Sequence, residues 1–494
     1  MNFSERLREV MTTAGELTAI TFDGNSYSWS QVRHCAEKLA NALEVADPQG
    51  SAVALVLRNR PTGVAALYGV LSARRTVLMV TPIQPSLSLC ADIRRLNSGV
   101  VVADRQDWND ALEDAVRETG AAGFEVFEQD GILEVAIRAG LAKASGIHEN
   151  PFPEAGMVVP TSGTTGPPKR VPVHWTRLDA VVPETPRPLK PPRGVIQTNP
   201  LVTIGATAVV LTCAAKPLNL VLMEKLDVRK WADLVEQHKP RRAGLPPAGL
   251  RMLMEADIPK EKFDSLETFV TGSAPFSADE MEAFEDQFGK PLLLSYGATE
   301  FGGTGSVASW TVETRREYRI TKRGSVGKAS PGISLRVVDA DSGETLPPDQ
   351  TGVLMVHKPD APVAGPDGWI RTTDLAAIDE DGFVFIKGRA DDTIIRGGFK
   401  VPMGEVEEAL AQHPAVRRAA AVGLPDARLG QVPVAAVTLH SGNDGKVGEA
   451  DLINWVRERL SAYKVPVRVK IVDEIPLTQL LKVSRPQMRA LFDD

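Results

Sequence analysis

The run from Ser51 to Pro82 most constrains what this chain can fold into. "SAVALVLRN" is apolar on consecutive positions, the pattern of a strand buried on both faces. "PTGVAALYGVLSARR" then reads as a helix with proline at its first position, and "TVLMVTP" as a second buried strand. Strand, helix and strand in that order imply parallel pairing, because a parallel return needs a crossover. A parallel sheet must have helices on its faces. Upstream, "SWSQVRHCAEKLANALEVA" predicts a helix with its N-cap at Ser28 or Ser30. The alternation returns downstream. "LNLVLM" reads as a strand, "DVRKWADLVEQHK" as a helix, "PRRAGLPPAGLRMLMEA" as a loop plus helix, and "LETFVTGSAPFS" as a strand entering a loop.

The texture changes after about residue 330. "ISLRVVDADSGETLPPDQTGVLMVHKP" predicts short antiparallel strands joined by Gly, Pro and Asp turns. "DLAAIDEDGFVFIKGRADD" predicts a hairpin turning at Asp381-Gly382. The remainder reads as a small α+β unit, with helices at "PMGEVEEALAQH" and "DLINWVRERLSAY" and strands at "AAVGL" and "VPVAAVTL". The expected fold is α/β: a large N-terminal domain of stacked α/β sheets plus a β-barrel-like part, then a small α+β domain. The charged stretch "KGRADD" places the boundary between domains 1–388 and 389–494.

Bulk properties exclude several partners. A net charge of −7, with no basic run, argues against nucleic acid. No apolar run reaches the ~18 residues of a membrane span. Cys35, Cys90 and Cys213 fit no CxxC pattern and read as reduced thiols. The start "MNFSERLREV" lacks the apolar stretch of a secretory signal, so a cytoplasmic location is expected.

The chemistry-bearing stretch is "VVPTSGTTGPPKRVPV", Val158 to Val173. Gly163 and Gly166 allow backbone angles closed to other residues, so successive N–H groups can converge on an anion. Thr161, Ser162, Thr164 and Thr165 add hydroxyls, and Lys169 adds a mobile charge suited to phosphate. The stretch fits a phosphate clamp or a polar surface turn. It is no Walker A loop, since Pro168 precedes Lys169 and Arg170 follows it.

Four further stretches occur in order: "SYGATE" (Ser295 to Glu300), "WIRTTDL" (Trp369 to Leu375), "GRADDTIIRGGFKV" (Gly388 to Val401) and "PLTQLLKVSR" (Pro476 to Arg485). With the glycine-rich stretch they resemble the adenylate-forming acyl/aryl-CoA ligase superfamily over nearly the whole chain. The resemblance implies a two-step reaction with Mg·ATP. A carboxylate attacks the α-phosphate, giving an acyl-adenylate and pyrophosphate, and a thiol then displaces AMP.

It further implies roles. Lys482 is the expected catalytic lysine, bridging carboxylate and α-phosphate. Thr161, Ser162, Gly163, Thr164, Thr165, Gly166 and Lys169 hold the β- and γ-phosphates. Thr299 bonds the α-phosphate, and Glu300 ligates Mg²⁺, which favours carboxylate and phosphate oxygens. Tyr296 and Gly297 lie against adenine, lined by Gly272, Ser273, Ala274 and Pro275. Asp374 and Arg389 reach the ribose. Asp391 is the hinge residue, and Gly397, Gly398 and Lys400 face coenzyme A. Thr203, Gly205, Ala206, Gly302 and Gly303 are small residues near the expected acyl pocket. Two departures stand out. Arg170 replaces the glycine usual after the loop lysine, and Val202-Thr203 replace an aromatic-His pair, which makes the gate smaller and uncharged. The implied activity is a carboxylate–CoA ligase for an aryl or medium-to-long acyl acid, with a homodimer left open. The alternatives are a stand-alone enzyme loading a separate carrier protein, a luciferase-like oxygenase, or a non-catalytic nucleotide-binding homologue.

Overall fold

The structure is a computed structural model. It describes residues 1–161, 168–184, 194–274, 276–301, 306–359, 361, 363–390, 392–397, 399–443, 445–478 and 482–493, without the side chain of Lys400. Packing divides the chain into two compact units, Met1–Ser306 with Asp360–Val363, and Val307–Pro359 with Ala364–Asp494. The boundary read at 388/389 falls inside the second unit.

In the first unit the predicted strands Val53–Val56 and Val77–Val80 pair in parallel at the heart of a seven-stranded sheet. Val100–Asp104 and Ala122–Gln129 extend it on one side, and Ala155–Thr161 on the other, all parallel. Antiparallel strands close both edges, Ile132–Ile137 and Lys169–His174. A second sheet runs Gly194–Gln197, Asn219–Leu222, Thr18–Phe22, Asn25–Ser28.

Between the sheets lies the predicted helix Pro61–Ser72, which touches strands of both. Every residue in it is buried. A helix apolar on all sides has no solvent face to present, so it is stable only between two covered layers. It packs against the Trp29–Ala46 helix at Gly69, where a Cβ would stand 2.8 Å from the Ala36 carbonyl oxygen. Trp29 stacks on Tyr68 at 5.9 Å. The Tyr68 hydroxyl donates to the Val210 carbonyl at 3.0 Å, tying in the Ile204–Ala215 helix. Burying each large apolar side chain here contributes roughly 1.5–3 kcal/mol over leaving it exposed. Ser28 is the N-cap of Trp29–Ala46 and forms a capping box with Gln31.

Three more strands of this unit run parallel: Arg242–Gly244, Thr268–Gly272 and Leu292–Tyr296. The first lies in the stretch read as loop plus helix. Beneath them Phe269 meets Phe284 and Phe263 edge-on at 4.9 and 5.3 Å. That aromatic cluster fixes the strands whose ends carry Gly272 and Tyr296.

In the second unit Ser334–Val338, Gly352–His357, Trp369–Ile378 and Val384–Arg389 form an antiparallel sheet. A bridge from Phe383 to Lys328 joins it to the short pair Ala308–Ser309 and Lys328–Ala329. The predicted hairpin is present, but its turn begins earlier. The Gly382 N–H donates to the Asp379 carbonyl at 2.9 Å, and of the two turn residues only Gly382 has positive φ, +82°. The remaining sheet holds Phe399–Pro402, Thr393–Arg396, Gly430–Leu439 and Val416–Asp426, with Arg468–Ile471 parallel to Gly430–Leu439. Helices Met403–Ala411 and Glu449–Arg457 are the two expected from sequence. Among the described residues no helix is long and apolar enough to cross a membrane. All three cysteines are buried and unpaired.

Candidate active site

Thr161 and Lys169 end adjacent antiparallel strands and face each other in register. They form the stem of the glycine-rich stretch; Ser162, Gly163, Thr164, Thr165 and Gly166 lie outside the described residues. Lys169 is exposed. Arg170 turns the other way. Its guanidinium donates to the Met79 carbonyl at 2.5 Å and pairs with the Asp92 carboxylate. With that side chain 13% exposed and Asp92 4%, the pair braces the stem against the sheet. The departure from the usual glycine therefore carries a structural contact.

Gly272 and Ser295 are register partners at the carboxyl ends of two parallel strands, the edge where ligands bind in α/β sheets. A Cβ at Gly272 would lie 2.7 Å from the Ser295 carbonyl oxygen, so the strands approach this closely only with glycine. Ser273 follows with φ +66°, a left-handed conformation costly for a non-glycine residue. Its hydroxyl donates to the Gly272 carbonyl at 2.5 Å. Ala274 is half-buried and Gly297 exposed. The register brings together the segments Gly272–Ala274 and Tyr296–Gly297, while Pro275 is outside the described residues. Tyr296 and Phe301 rings lie 6.3 Å apart, and buried Phe301 anchors the one-turn helix Thr299–Phe301. Thr299 and Glu300 are half-buried on that turn. Among the described residues no group of three or more His, Cys, Asp or Glu could form a metal cage. The half-buried Glu300 carboxylate needs no such cage to suit Mg²⁺, which commonly takes one or two carboxylates with substrate phosphates and water.

Thr203 is the N-cap of Ile204–Ala215, its hydroxyl bonded to the Pro200 carbonyl at 2.8 Å. Gly205 has open space where a side chain would be. It lies in an open concavity of about 320 Å³ lined also by Val195, Ala208, Val209, Thr212 and Leu218. Ala206 instead faces the core and is 1% exposed. Gly302 and Gly303 are outside the described residues. Sequence reasoning missed Asn59. This buried side chain donates to the carbonyls of Asn199 and Met223 at 3.0 and 3.1 Å and accepts from Leu201 N–H at 2.9 Å. It holds the segment that delivers Thr203.

In the second unit Asp374 and Arg389 are register partners on adjacent strands. A register shift beside them adds one residue on the Arg389 strand, and Gly388 takes φ +119° there. Such a bulge re-aims the neighbouring side chain. The Thr372 hydroxyl accepts from Asp374 N–H at 3.0 Å and fixes the backbone there. Asp391 and Gly398 are outside the described residues. Gly397 has φ +57° and donates to the Leu429 carbonyl at 2.8 Å. Lys400 sits in strand Phe399–Pro402 opposite Ile395.

Lys482 is exposed on the return leg of a hairpin. The Thr478 N–H donates to the Lys482 carbonyl at 2.6 Å, Leu477 bridges Val483, and Ser484 N–H donates to the Pro476 carbonyl at 2.9 Å. Arg485 follows at once. Its guanidinium donates to Glu407 at 2.8 Å, to the Ala421 carbonyl at 2.7 Å and to Asp392 at 2.9 Å. Burial alone would lower its pKa, but the Glu407 and Asp392 carboxylates outweigh that and hold it above the ordinary value.

Against known proteins, the AMP-binding enzyme family model matches residues 7–362, and that of the AMP-binding enzyme C-terminal domain matches 405–482. The long-chain-fatty-acid–CoA ligase of Bacillus subtilis (strain 168) is 25% identical over 98% of this chain and 94% of its own. The indoleacetate–CoA ligase of Aromatoleum aromaticum is 29% identical over 96% of this chain and 95% of its own. The solved amide bond synthetase McbA from Marinactinospora thermotolerans is 26% identical, superposes with a TM-score of 0.80, and covers 100% of both chains.

Proposed function

The chain belongs to the AMP-binding enzyme family, and from that premise we propose that it activates an aryl or medium-to-long-chain carboxylic acid with ATP and transfers the acyl group to coenzyme A. It is an acid–thiol ligase of the AMP-forming kind. The observation that carries this reading is the match of both family models along one chain, one on either side of Arg389.

Bringing a carboxylate to a polyanionic phosphate is opposed by charge repulsion, so fixed positive groups and oriented N–H donors must stabilise the transition state. Lys482 supplies the mobile charge that bridges the attacking carboxylate and the α-phosphate. Thr161 and Lys169, at the stem, steady the β- and γ-phosphates. Thr299 donates to the α-phosphate, and Glu300 holds Mg²⁺, which neutralises phosphate charge when bound. Asp374 accepts from the ribose hydroxyls beside Arg389. Tyr296 stacks on adenine, and Gly272–Ala274 line the adenine side with backbone groups. Attack of the acid oxygen on the α-phosphorus breaks the bond to pyrophosphate. Attack of the coenzyme A thiol on the acyl carbon then releases AMP.

The concavity beside Gly205 favours an acid with an apolar tail, since the residues lining it, the Cys213 thiol included, carry no charge at neutral pH. A full-length likeness to an amide bond synthetase favours a second acceptor, an amine in place of the thiol. Pyrophosphate release tests both readings, measured across a panel of acids with Mg·ATP and with coenzyme A, an amine or neither. Thioester formed only with acid and coenzyme A supports the ligase. Amide formation supports the second reading. Adenylate that accumulates without gain from either acceptor indicates a carrier protein. Absence of release with every acid of the panel refutes the aryl and medium-to-long-chain acids as substrates.

A further inference from the structure

Lys482 sits at the stem of a hairpin in the second unit, and a lysine that must reach one phosphate oxygen needs a rigid base. The base is fixed in two ways. Ile475 and partly buried Val483 pack into the core with Val422, Val434 and Met488. Arg485, three residues after the lysine, bonds three separate segments: Glu407 on the Met403–Ala411 helix, the Ala421 carbonyl on the Val416–Asp426 strand, and Asp392. The Glu407 carboxylate also accepts from Ala421 N–H at 2.9 Å, closing the network. The Arg485, Asp392 and Glu407 side chains are 19%, 26% and 24% exposed, so the charges are partly shielded from water and couple more strongly than at the surface.

Asp392 is the revealing partner. It adds a second carboxylate to an arginine already satisfied by Glu407, and it directly follows Asp391, the proposed hinge residue. We propose that Arg485 is a positioning residue which, through Asp392, locks the base of the Lys482 hairpin to the segment immediately after the proposed hinge and so sets where the lysine is held. The proposal rests on reading Lys482 as the adenylation lysine. Glu407 carries the structural share of the network, whereas the Asp392 arm carries the hinge link.

The test uses the full-length protein with Asp392→Asn, which keeps size and leaves Glu407 in place, beside Arg485→Lys and the conservative control Asp392→Glu. Backbone amide exchange at Thr478, Lys482 and Ser484 is followed by NMR or mass spectrometry, and adenylation by pyrophosphate release. Asp392→Asn is expected to speed exchange at those three amides by roughly tenfold while amides of the Met403–Ala411 helix stay protected. It is expected to lower the adenylation kcat by about 10- to 100-fold with little change in KM for ATP, since a small misplacement of a reacting group is costly. Arg485→Lys should follow it, and Asp392→Glu should recover most of the rate. Unchanged exchange at the hairpin overturns the proposal whatever the activity. So does exchange that rises throughout the second unit, which marks a general loss of stability, and so does a local rise with wild-type kcat. If the wild type releases no pyrophosphate with any acid of the panel while the local rise occurs, the proposed acid class falls and the mechanical link stands.

Discussion

At the scale of single residues, the role proposed for Lys482 separates chemistry from binding. Lys482→Ala should abolish adenylate formation while Mg·ATP binding, followed by calorimetry, persists; turnover like the wild type in that variant would refute its role. Asn59 makes a different prediction. It is 6% exposed and holds Leu201, Asn199 and Met223 backbone groups at once. Asn59→Leu strands those groups without partners, a cost of about 3 kcal/mol. A lower denaturant midpoint and a raised KM for the acid are expected, with KM for ATP retained. A variant as stable as the wild type would show that the 198–203 segment does not depend on this side chain. These two residues also mark what the sequence reveals. Lys482 stands in a motif whose neighbours identify it. Asn59 acts on Met223, 164 positions away, and Arg485 acts on Asp392, 93 positions away. No local spacing encodes such contacts, and Asn59 lies in a stretch whose apolar run says only that a strand ends there. Arg170 was noticed as a departure, but its inward turn to Asp92 depends on a helix 78 positions distant.

At the scale of elements, the helix Ala278–Phe288 supports the strand that ends at Gly272. Its Phe284 packs on Phe269, and its N-terminus is a capping box between Ser277 and Glu280. Burial would raise the Glu280 pKa, yet Arg251 and the Ser277 N–H prevail and hold it below its ordinary value of 4.5. A carboxyl depressed in the folded state contributes stability that is present above its unfolded pKa and lost as the pH falls through the folded one. In wild type, acid should therefore weaken this helix below about pH 4.5. Glu280→Gln should remove that pH dependence and lower stability at pH 7, as read by urea titration at both pH values. An unchanged slope would place the pair among those that contribute nothing measurable. The element itself was not assigned from the sequence, although its Ser-x-x-Glu start is a legible cap. The buried strands and helices near Pro61 were legible because burial on all sides leaves one plain pattern. The three-residue strand Arg242–Gly244 was not, since so short a segment has no period to read.

At the scale of the whole molecule, the proposed rotation between half-reactions has two candidate joints. The proposed hinge at Asp391 would carry the residues that follow it away from the sheet that ends at Arg389. Yet the second unit holds both parts together, with Val384–Arg389 packed on the Met403–Ala411 helix. They approach closely at Gly404, where a Cβ would stand 3.2 Å from the Lys387 carbonyl oxygen and 3.5 Å from the Gly388 Cα. If the hinge turns at Asp391, this contact forms in one arrangement and breaks in the other. A side chain at Gly404 would then penalise only the first. Gly404→Val should accordingly shift the two half-reactions in opposite directions, adenylation read by pyrophosphate release and thiolation read from acyl-adenylate supplied with coenzyme A. Asp391→Pro, which stiffens the backbone at the proposed hinge, should spare adenylation and block thiolation. A motion of the whole second unit, with its boundary after Ser306, predicts otherwise. The Gly404 contact would then stay closed throughout, and the valine would slow both steps alike through lost stability. Opposed changes in Gly404→Val place the moving joint at Asp391, and parallel changes place it at the packing boundary.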